Sequence, residues 1–311
     1  MVASADLTSL RGEAVTVVEV GPRDGLQNES AHVSTDDKVA FVDRLSAANL
    51  PVIEVSAFVS PKWVPQMADA AEVFARIQRR PGTRYTALVP NLPGLERATS
   101  AGVTEVAIFA AVSETFSRKN INQSVDDSLA IYRDVATRAL AAGLRVRAYL
   151  STSFGCPYEG HVPVTAVVRR TAQLLDLGAF EVAVSDTIGV AHPAQVVEVL
   201  TALRSELPID RIALHFHDTR GTALANVLAG LLEGIRTFDA SAGGLGGCPY
   251  APGAAGNLAT DDLLYMLEGV GVRTGVSLAA LEEATAFIAA RIDHALPSRY
   301  AQAAKAARST P

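Results

Sequence analysis

Arg211-Ile212-Ala213-Leu214-His215-Phe216-His217-Asp218 is an apolar run that ends in a polar cluster. The run has the length and character of a β-strand, and side chains alternate faces along a strand, so His215 and His217 point the same way. Two imidazoles on one face at a strand end suit chelation of a single cation. An isolated His-x-His is more often two ordinary polar residues at a strand terminus, so its meaning depends on its surroundings. Ala194–Glu206 before it and Thr222–Glu233 after it are helix-like, and Thr237–Ser241 beyond is strand-like again. Parallel strands need such helical crossovers.

The same unit recurs along the chain. Strand-like runs fall at Val15–Gly21, Val52–Ser56, Tyr85–Val89, Glu105–Val112, Val146–Ser151, Phe180–Ser185, Arg211–Phe216 and Thr237–Ser241. Helix-like stretches separate them: Thr35–Ala48, Met67–Arg79, Gly94–Ala101, Val125–Ala142, Val164–Leu177, Ala194–Glu206 and Thr222–Glu233. Eight strands joined by helices predict an α/β protein of the (β/α)8 barrel class. An open doubly wound sheet is the alternative, and no Gly-rich phosphate fingerprint follows the first strand to support it. A Gly-rich loop, Gly243–Gly256, then leads to two further helices near Asp261–Leu267 and Leu278–His294. Residues 1–13 read as a flexible N-terminal arm, 14–296 as one barrel domain with C-terminal helices, and 297–311 as a frayed tail.

Composition narrows the function. With 27 basic and 33 acidic residues the net charge is −6, which lacks the broad basic footprint of a nucleic-acid binder. The longest apolar runs are interrupted by polar residues and are too short to span a bilayer, and no secretory or transit segment opens the chain, so a cytoplasmic location without membrane contact is expected. Two cysteines, Cys156 and Cys248, make no disulfide framework and fit a reducing compartment.

Active sites of (β/α)8 barrels lie at the C-terminal strand ends. There the chain carries Arg23-Asp24 after the first strand, Glu54 in the second, Asp186 after the sixth, His215, His217 and Asp218 after the seventh, and the glycine loop with Cys248 after the eighth. Unpaired buried charge is costly, so converging charges imply mutual pairing or a metal. Asp24 with His215 and His217 gives mixed oxygen and nitrogen ligation, suited to Mg2+, Mn2+ or a similar divalent ion. Asn257 adds a harder ligand than Cys248 from the same loop. The bland reading of Asp24 is a turn residue, since Pro-Arg-Asp-Gly is turn chemistry. Glu19 shares parity with Arg23 and reads as its ion-pair partner inside the barrel. Cys156 reads as structural, whereas Cys248, among glycines, reads as functional.

These residues sit in longer motifs. Val20-Gly21-Pro22-Arg23-Asp24-Gly25-Leu26-Gln27-Asn28-Glu29, Ser56–Asp69, and Gly244-Leu245-Gly246-Gly247-Cys248-Pro249-Tyr250-Ala251 with Gly256–Thr260 resemble the signatures of hydroxymethylglutaryl-CoA lyases. The resemblance runs from about Val18 to Ile292. It implies cleavage of 3-hydroxy-3-methylglutaryl-CoA to acetyl-CoA and acetoacetate, the chemistry of leucine breakdown and ketone-body formation. It implies a divalent cation held by Asp24, His215, His217 and Asn257. It places Arg23, Glu54, Asp186, His215 and Cys248 among the catalytic residues, and Arg23 and Gln27 on an acyl-CoA substrate. A homodimer is the expected assembly.

The chemistry suits such a set. A base takes the tertiary hydroxyl proton, the carbon–carbon bond breaks, and a thioester enolate forms. Arg23 is always cationic and able to stabilise the enolate oxygen. Asp186 or His215 is the base, with Asp186 favoured because a ligating histidine is less available. Cys248 is a general acid for the enolate carbon, on a loop able to close over the site. Arg118-Lys119-Asn120 is a candidate for the CoA phosphates, or else a solvated helix start. The chain departs from the family pattern at Ser30, Ser185 and Arg220, where lysine, glycine and an aromatic are common. These positions bear on how the acyl chain and CoA are held, so a bulkier 3-hydroxy-3-alkylglutaryl-CoA is the alternative substrate. A condensing acyltransferase of the same barrel group and a non-catalytic ligand-binding barrel are further alternatives. The former usually carries an extra domain, and the latter needs neither the ligand set nor Cys248.

Overall fold

A computed structural model describes residues 7–247 and 256–308. Eight parallel strands close into a barrel in chain order: β1 (Thr16–Glu19), β2 (Val52–Ala57), β3 (Arg84–Leu88), β4 (Glu105–Ala111), β5 (Arg145–Ser151), β6 (Glu181–Asp186), β7 (Ile212–Phe216) and β8 (Thr237–Ala240). The seam pairs Thr16 with Thr237 and Glu19 with Ala240. The crossover helices are α1 (Thr35–Ala47), α2 (Ala70–Arg76), α3 (Leu92–Ser100), α4 (Glu114–Ile121), α5 (Val125–Ala141), α6 (Val164–Asp176), α7 (Pro193–Glu206) and α8 (Ala223–Leu232). After β8 come α9 (Thr260–Val270), α10 (Leu278–Ala289) and α11 (Arg299–Arg308). None of the described helices is long and apolar enough to cross a membrane.

Nearly every strand residue is buried, as expected for parallel strands covered on both faces. The main apolar core lies between strands and helices, whereas Val18, Val20 and Val52 form a small separate cluster inside the barrel. The rest of the interior is filled by charge. Arg147 of β5 reaches across to Asp239 of β8 with two hydrogen bonds, 2.7 and 3.2 Å, and donates to Glu181 at 2.7 Å. Such a network costs desolvation, which the multiple hydrogen bonds offset.

Local signals set the helix ends. Ser34 caps α1, its hydroxyl accepting from the Asp37 amide, with Asp36 and Asp37 in the first turn. Ser113 caps α4 and left-handed Asn122 ends it. This helix was not read from the sequence, although its capping serine is a start signal. The chain ends differ from expectation too. Leu7–Leu10 forms a 3-10 turn with Leu10 buried, and the Gly12 amide donates to Gly271. Arg299–Arg308 is helical where a frayed tail is expected, because Asp262 of α9 accepts from the Ser298 hydroxyl at 2.7 Å and the Tyr300 amide at 2.8 Å. Ser298 is a local signal as well, its hydroxyl accepting from the Ala301 amide at 3.0 Å, whereas the Asp262 contacts come from a distant part of the chain.

Glu19 corrects another expectation. It does not pair with Arg23. Val18 lies beside Asp239 on the barrel interior, so Glu19 faces outward. There it accepts from the amides of Gly21 and Ala242, both at 2.8 Å, and from the Thr260 hydroxyl at 2.7 Å. One carboxyl thus ties the end of β1 to the loop after β8 and to the start of α9. Burial pushes it up to about 7 in spite of these donors. A raised carboxyl means the folded protein holds a proton that the unfolded chain releases. The stabilising term is therefore fully present below the ordinary glutamate range and lost as pH rises through about 7. We expect the stability difference between wild type and Glu19→Gln to fall by roughly 3 kcal/mol across that window. Thermal unfolding of both proteins as a function of pH measures it, and parallel curves would refute it.

Candidate metal centre and active-site cavity

β1 does not end in a simple turn. The Val20 carbonyl accepts from the amides of Arg23, Asp24 and Gly25, and Gly21–Gly25 forms one turn of π-helix. Glycine is needed at both ends of it. A Cβ on Gly21 would lie 2.6 Å from the Glu19 carboxyl, and one on Gly25 would lie 3.0 Å from Leu245. The wide turn swings Arg23 and Asp24 over the barrel mouth. Arg23 donates from Nε to Glu54 at 2.6 Å and from Nη1 to Asp24 at 2.5 Å, with its guanidinium 5.3 Å from the Tyr149 ring centre.

Asp24 meets the far end of the chain here. The loop after β8 folds back over β7: Leu258 donates to Phe216, Asp218 donates to Gly256, and His217 pairs with Asn257. Asn257 Nδ2 then donates to Asp24 at 3.0 Å and to the Leu245 carbonyl at 3.3 Å. Asp24, His215 and His217 offer ligand atoms that all lie within 4.8 Å of one another.

The electrostatics fit a cation. Burial would raise Asp24, but Arg23 and the two histidines hold it down at about 2, so it is ionised. Burial and its neighbour His215 push His217 down to about 4, so its imidazole is neutral at pH 7, the form that ligates. His217 Nδ1 and Asn257 Oδ1 are buried with no hydrogen-bond partner. Buried polar atoms are almost always satisfied. Two orphaned acceptor-capable atoms beside an ionised carboxylate are what a divalent ion's ligand shell requires, and the residues therefore fit that group.

The remaining sequence-predicted residues are dispersed around this centre. Glu54 is fully buried; burial raises its carboxyl despite Arg23, and its second oxygen lacks a partner. Gln27 lines the cavity, with its buried Oε1 likewise unpartnered. Asp186 is turned away: its two oxygens accept from the Val190 and Ala191 amides at 3.0 and 2.9 Å, fixing the loop after β6. Its neighbours Ser185 and Thr187 line the cavity instead. Cys248 lies outside the described residues, while Gly247 before it is at the cavity wall. Sequence reasoning missed Asp239, which stands 3.3 Å behind His215 Nδ1. A charge inside the apolar run Thr237-Phe238-Asp239-Ala240 was the available signal.

Arg23, Asp24, His215 and His217 line a cavity of about 820 Å³. Arg118, Lys119 and Asn120, on the last turns of α4, line the same cavity. Of the three departures from the family pattern, Ser185 lines the cavity, Arg220 donates to the carbonyls of Ile188 and Gly189, and Ser30 donates to Asp293. A second grouping, Glu29, Asp293 and His294, lies at the surface, with His294 Nε2 2.8 Å from Glu29.

A closed parallel barrel with a candidate metal site of Asp24, His215 and His217 at its C-terminal mouth defines a class, the (β/α)8 barrel enzymes. Within that class, the HMGL-like family model matches residues 14–288, and the chain belongs to this family, a family of lyases. The hydroxymethylglutaryl-CoA lyase of Bacillus subtilis is 51% identical over 291 residues, which cover 94% of this chain and 97% of that protein. The 3-hydroxy-3-isohexenylglutaryl-CoA/hydroxymethylglutaryl-CoA lyase of Pseudomonas aeruginosa is 52% identical over 289 residues, 93% of this chain and 96% of that one. Among solved structures, the HMG-CoA lyase of Bacillus subtilis superposes with a TM-score of 0.93 at 50% identity, covering 95% of this chain and 99% of that chain. An HMG-CoA lyase from Acinetobacter baumannii, in complex with coenzyme A and 3-methylmalate, gives 0.89 at 38% identity, covering 100% and 98%.

His217→Ala should weaken Mn2+ binding by more than about 100-fold while leaving the circular dichroism spectrum unchanged. Glu29→Gln, in the surface grouping, should leave the affinity as it is. Equal affinity in His217→Ala and wild type would remove His217 from the centre.

Proposed function

We propose that this protein cleaves 3-hydroxy-3-methylglutaryl-CoA to acetyl-CoA and acetoacetate in a retro-Claisen reaction that requires Mg2+ or Mn2+. One observation carries the reading. An ionised Asp24, a neutral His217, His215 and the orphaned carbonyl of Asn257 converge beside Arg23 at a cavity that Arg118 and Lys119 also line. The relatives' names and the coenzyme A complex of one of them point to the same substrate class.

Asp24, His215, His217 and Asn257 would hold the cation, which when bound supplies Lewis acidity toward the substrate's tertiary hydroxyl. The chain's residues do the rest. Arg118 and Lys119 of α4, which line the cavity, would face the CoA phosphates, and Gln27 on the same wall would bind the acyl group. Loss of the hydroxyl proton turns its electron pair into the new ketone, the C2–C3 bond breaks, and its electrons form the thioester enolate. Arg23, fixed by Glu54 and Asp24, places permanent positive charge where the enolate oxygen develops. The Cys248 thiol delivers a proton to the enolate carbon and completes acetyl-CoA.

Two residues compete for the hydroxyl proton. His215 has one ring nitrogen on Asp239 and needs the other for the ligand set, so it has no lone pair to give. Asp186 stands outside the ligand set, and burial raises its carboxyl, making it the stronger base. Each of its oxygens keeps a second lone pair beyond the one given to the backbone. We assign the proton to Asp186, whose carboxyl has to swing from the Val190 and Ala191 amides toward the cavity to take it.

A longer alkyl branch on the substrate is a second reading. It is favoured by the 52% identical Pseudomonas aeruginosa relative, whose name includes an isohexenylglutaryl thioester.

Purified protein with Mg2+ or Mn2+ should form acetoacetate from the hydroxymethylglutaryl thioester. No product with either ion would sink the proposal, and a higher kcat/KM for a longer 3-alkyl thioester would select the second reading. Arg23→Met should lower kcat by about 100- to 1000-fold. Cys248→Ala and Asp186→Asn should retain metal and lose most turnover, and full activity in either would remove that residue from its role.

A further inference from the structure

The geometry points to Asp239 as a positioning residue: it holds His215 in the tautomer that ligates, and Arg147 keeps Asp239 charged for that task. The inference rests on the metal-centre reading given above.

β7 and β8 pair with His215 directly beside Asp239, so both side chains point into the barrel. Asp239 Oδ2 lies 3.3 Å from His215 Nδ1. The same carboxylate receives both terminal nitrogens of Arg147, Nη2 on Oδ1 at 2.7 Å and Nη1 on Oδ2 at 3.2 Å. Asp239 has essentially no solvent contact, and neither has Arg147. Arg147 is always cationic and sets a donor on each Asp239 oxygen, which holds the buried group as a carboxylate. An ionised carboxylate is only an acceptor. His215 Nδ1 must therefore carry the hydrogen, which leaves the lone pair on Nε2, the ring nitrogen free of Asp239. Tyr149 packs edge-on against the ring, with centres 6.2 Å apart, and limits its rotation. Ligating histidines commonly need such a partner, and its loss weakens metal binding by about 10- to 100-fold.

The interior ion pair could instead serve stability alone, and Asp239→Asn separates the two roles. Arg147 offers only donors, so the asparagine carbonyl is drawn to Nη2 at the shorter contact. Its amide then faces His215 Nδ1, which has to become the acceptor, and the ring hydrogen moves to Nε2. The ligating lone pair is lost without removal of any ligand.

The test begins with wild-type, metal-free protein labelled with 15N-histidine, at a pH of about 8 where imidazoles are neutral. The His215 resonances, assigned through His215→Gln, should show Nδ1–H and an unprotonated Nε2. An Nε2–H tautomer in wild type overturns the inference whatever the variant does. Asp239→Asn should shift the resonances to the other tautomer and weaken Mn2+ binding, followed by electron paramagnetic resonance, by about 10- to 100-fold. A folded Asp239→Asn that binds Mn2+ as tightly as wild type overturns the inference and leaves the metal centre standing. Failure of wild type to bind Mn2+ overturns both.

Discussion

The pairing of Thr16–Glu19 with Thr237–Ala240 closes the barrel, and the site exists because of that seam. It brings the first strand against the last, and with them two parts of the chain more than two hundred residues apart. Across it Glu19 takes the Ala242 amide and the Thr260 hydroxyl, and beyond it Asp24 takes the Asn257 amide. Along the next pairing, β7 to β8, Asp239 comes to stand behind His215. A parallel barrel has no edge at which such contacts could slip, so register fixes the site to within a hydrogen bond.

Charge inside the barrel then divides the work. Each buried cation has acidic partners: Arg23 with Glu54 and Asp24, and Arg147 with Asp239 and Glu181. What is left over is informative. His217 Nδ1, Asn257 Oδ1, Glu54 Oε1 and Gln27 Oε1 are buried acceptor-capable atoms without partners, and all belong to the mouth of the barrel. Thr86 Oγ1 on β3 and Glu105 Oε1 on β4 are unpartnered too, so what sets the mouth apart is that its orphaned acceptors gather beside an ionised Asp24. That gathering is the ground for reading the mouth as a cation site.

Much of this was legible in the sequence. The eight strands fall where alternation of apolar runs and helices places them, because a buried parallel strand has to be apolar on both faces. The ligand residues were legible from their places at strand ends. Parity misassigned Glu19 because one turn of π-helix lies between it and Arg23, and strand alternation does not carry through such a turn. Asp239 was missed because its meaning depends on Arg147 and His215, which only the barrel brings to it. The helix Arg299–Arg308 was missed although Ser298 is a capping residue at its start, since what anchors that end is Asp262 from another helix. The apparent turn chemistry of Pro22-Arg23-Asp24-Gly25 and its place at the mouth are both right, since the turn is what aims Asp24.

The central claim is that the turn after β1, the end of β7 and the loop after β8 together make one cation site at the cavity of about 820 Å³. Anomalous diffraction from crystals soaked in Mn2+ tests it most directly. The account predicts one dominant peak enclosed by Asp24, His215, His217 and Asn257. A dominant peak elsewhere, such as between Glu29, Asp293 and His294, with no density at the barrel mouth, would contradict it.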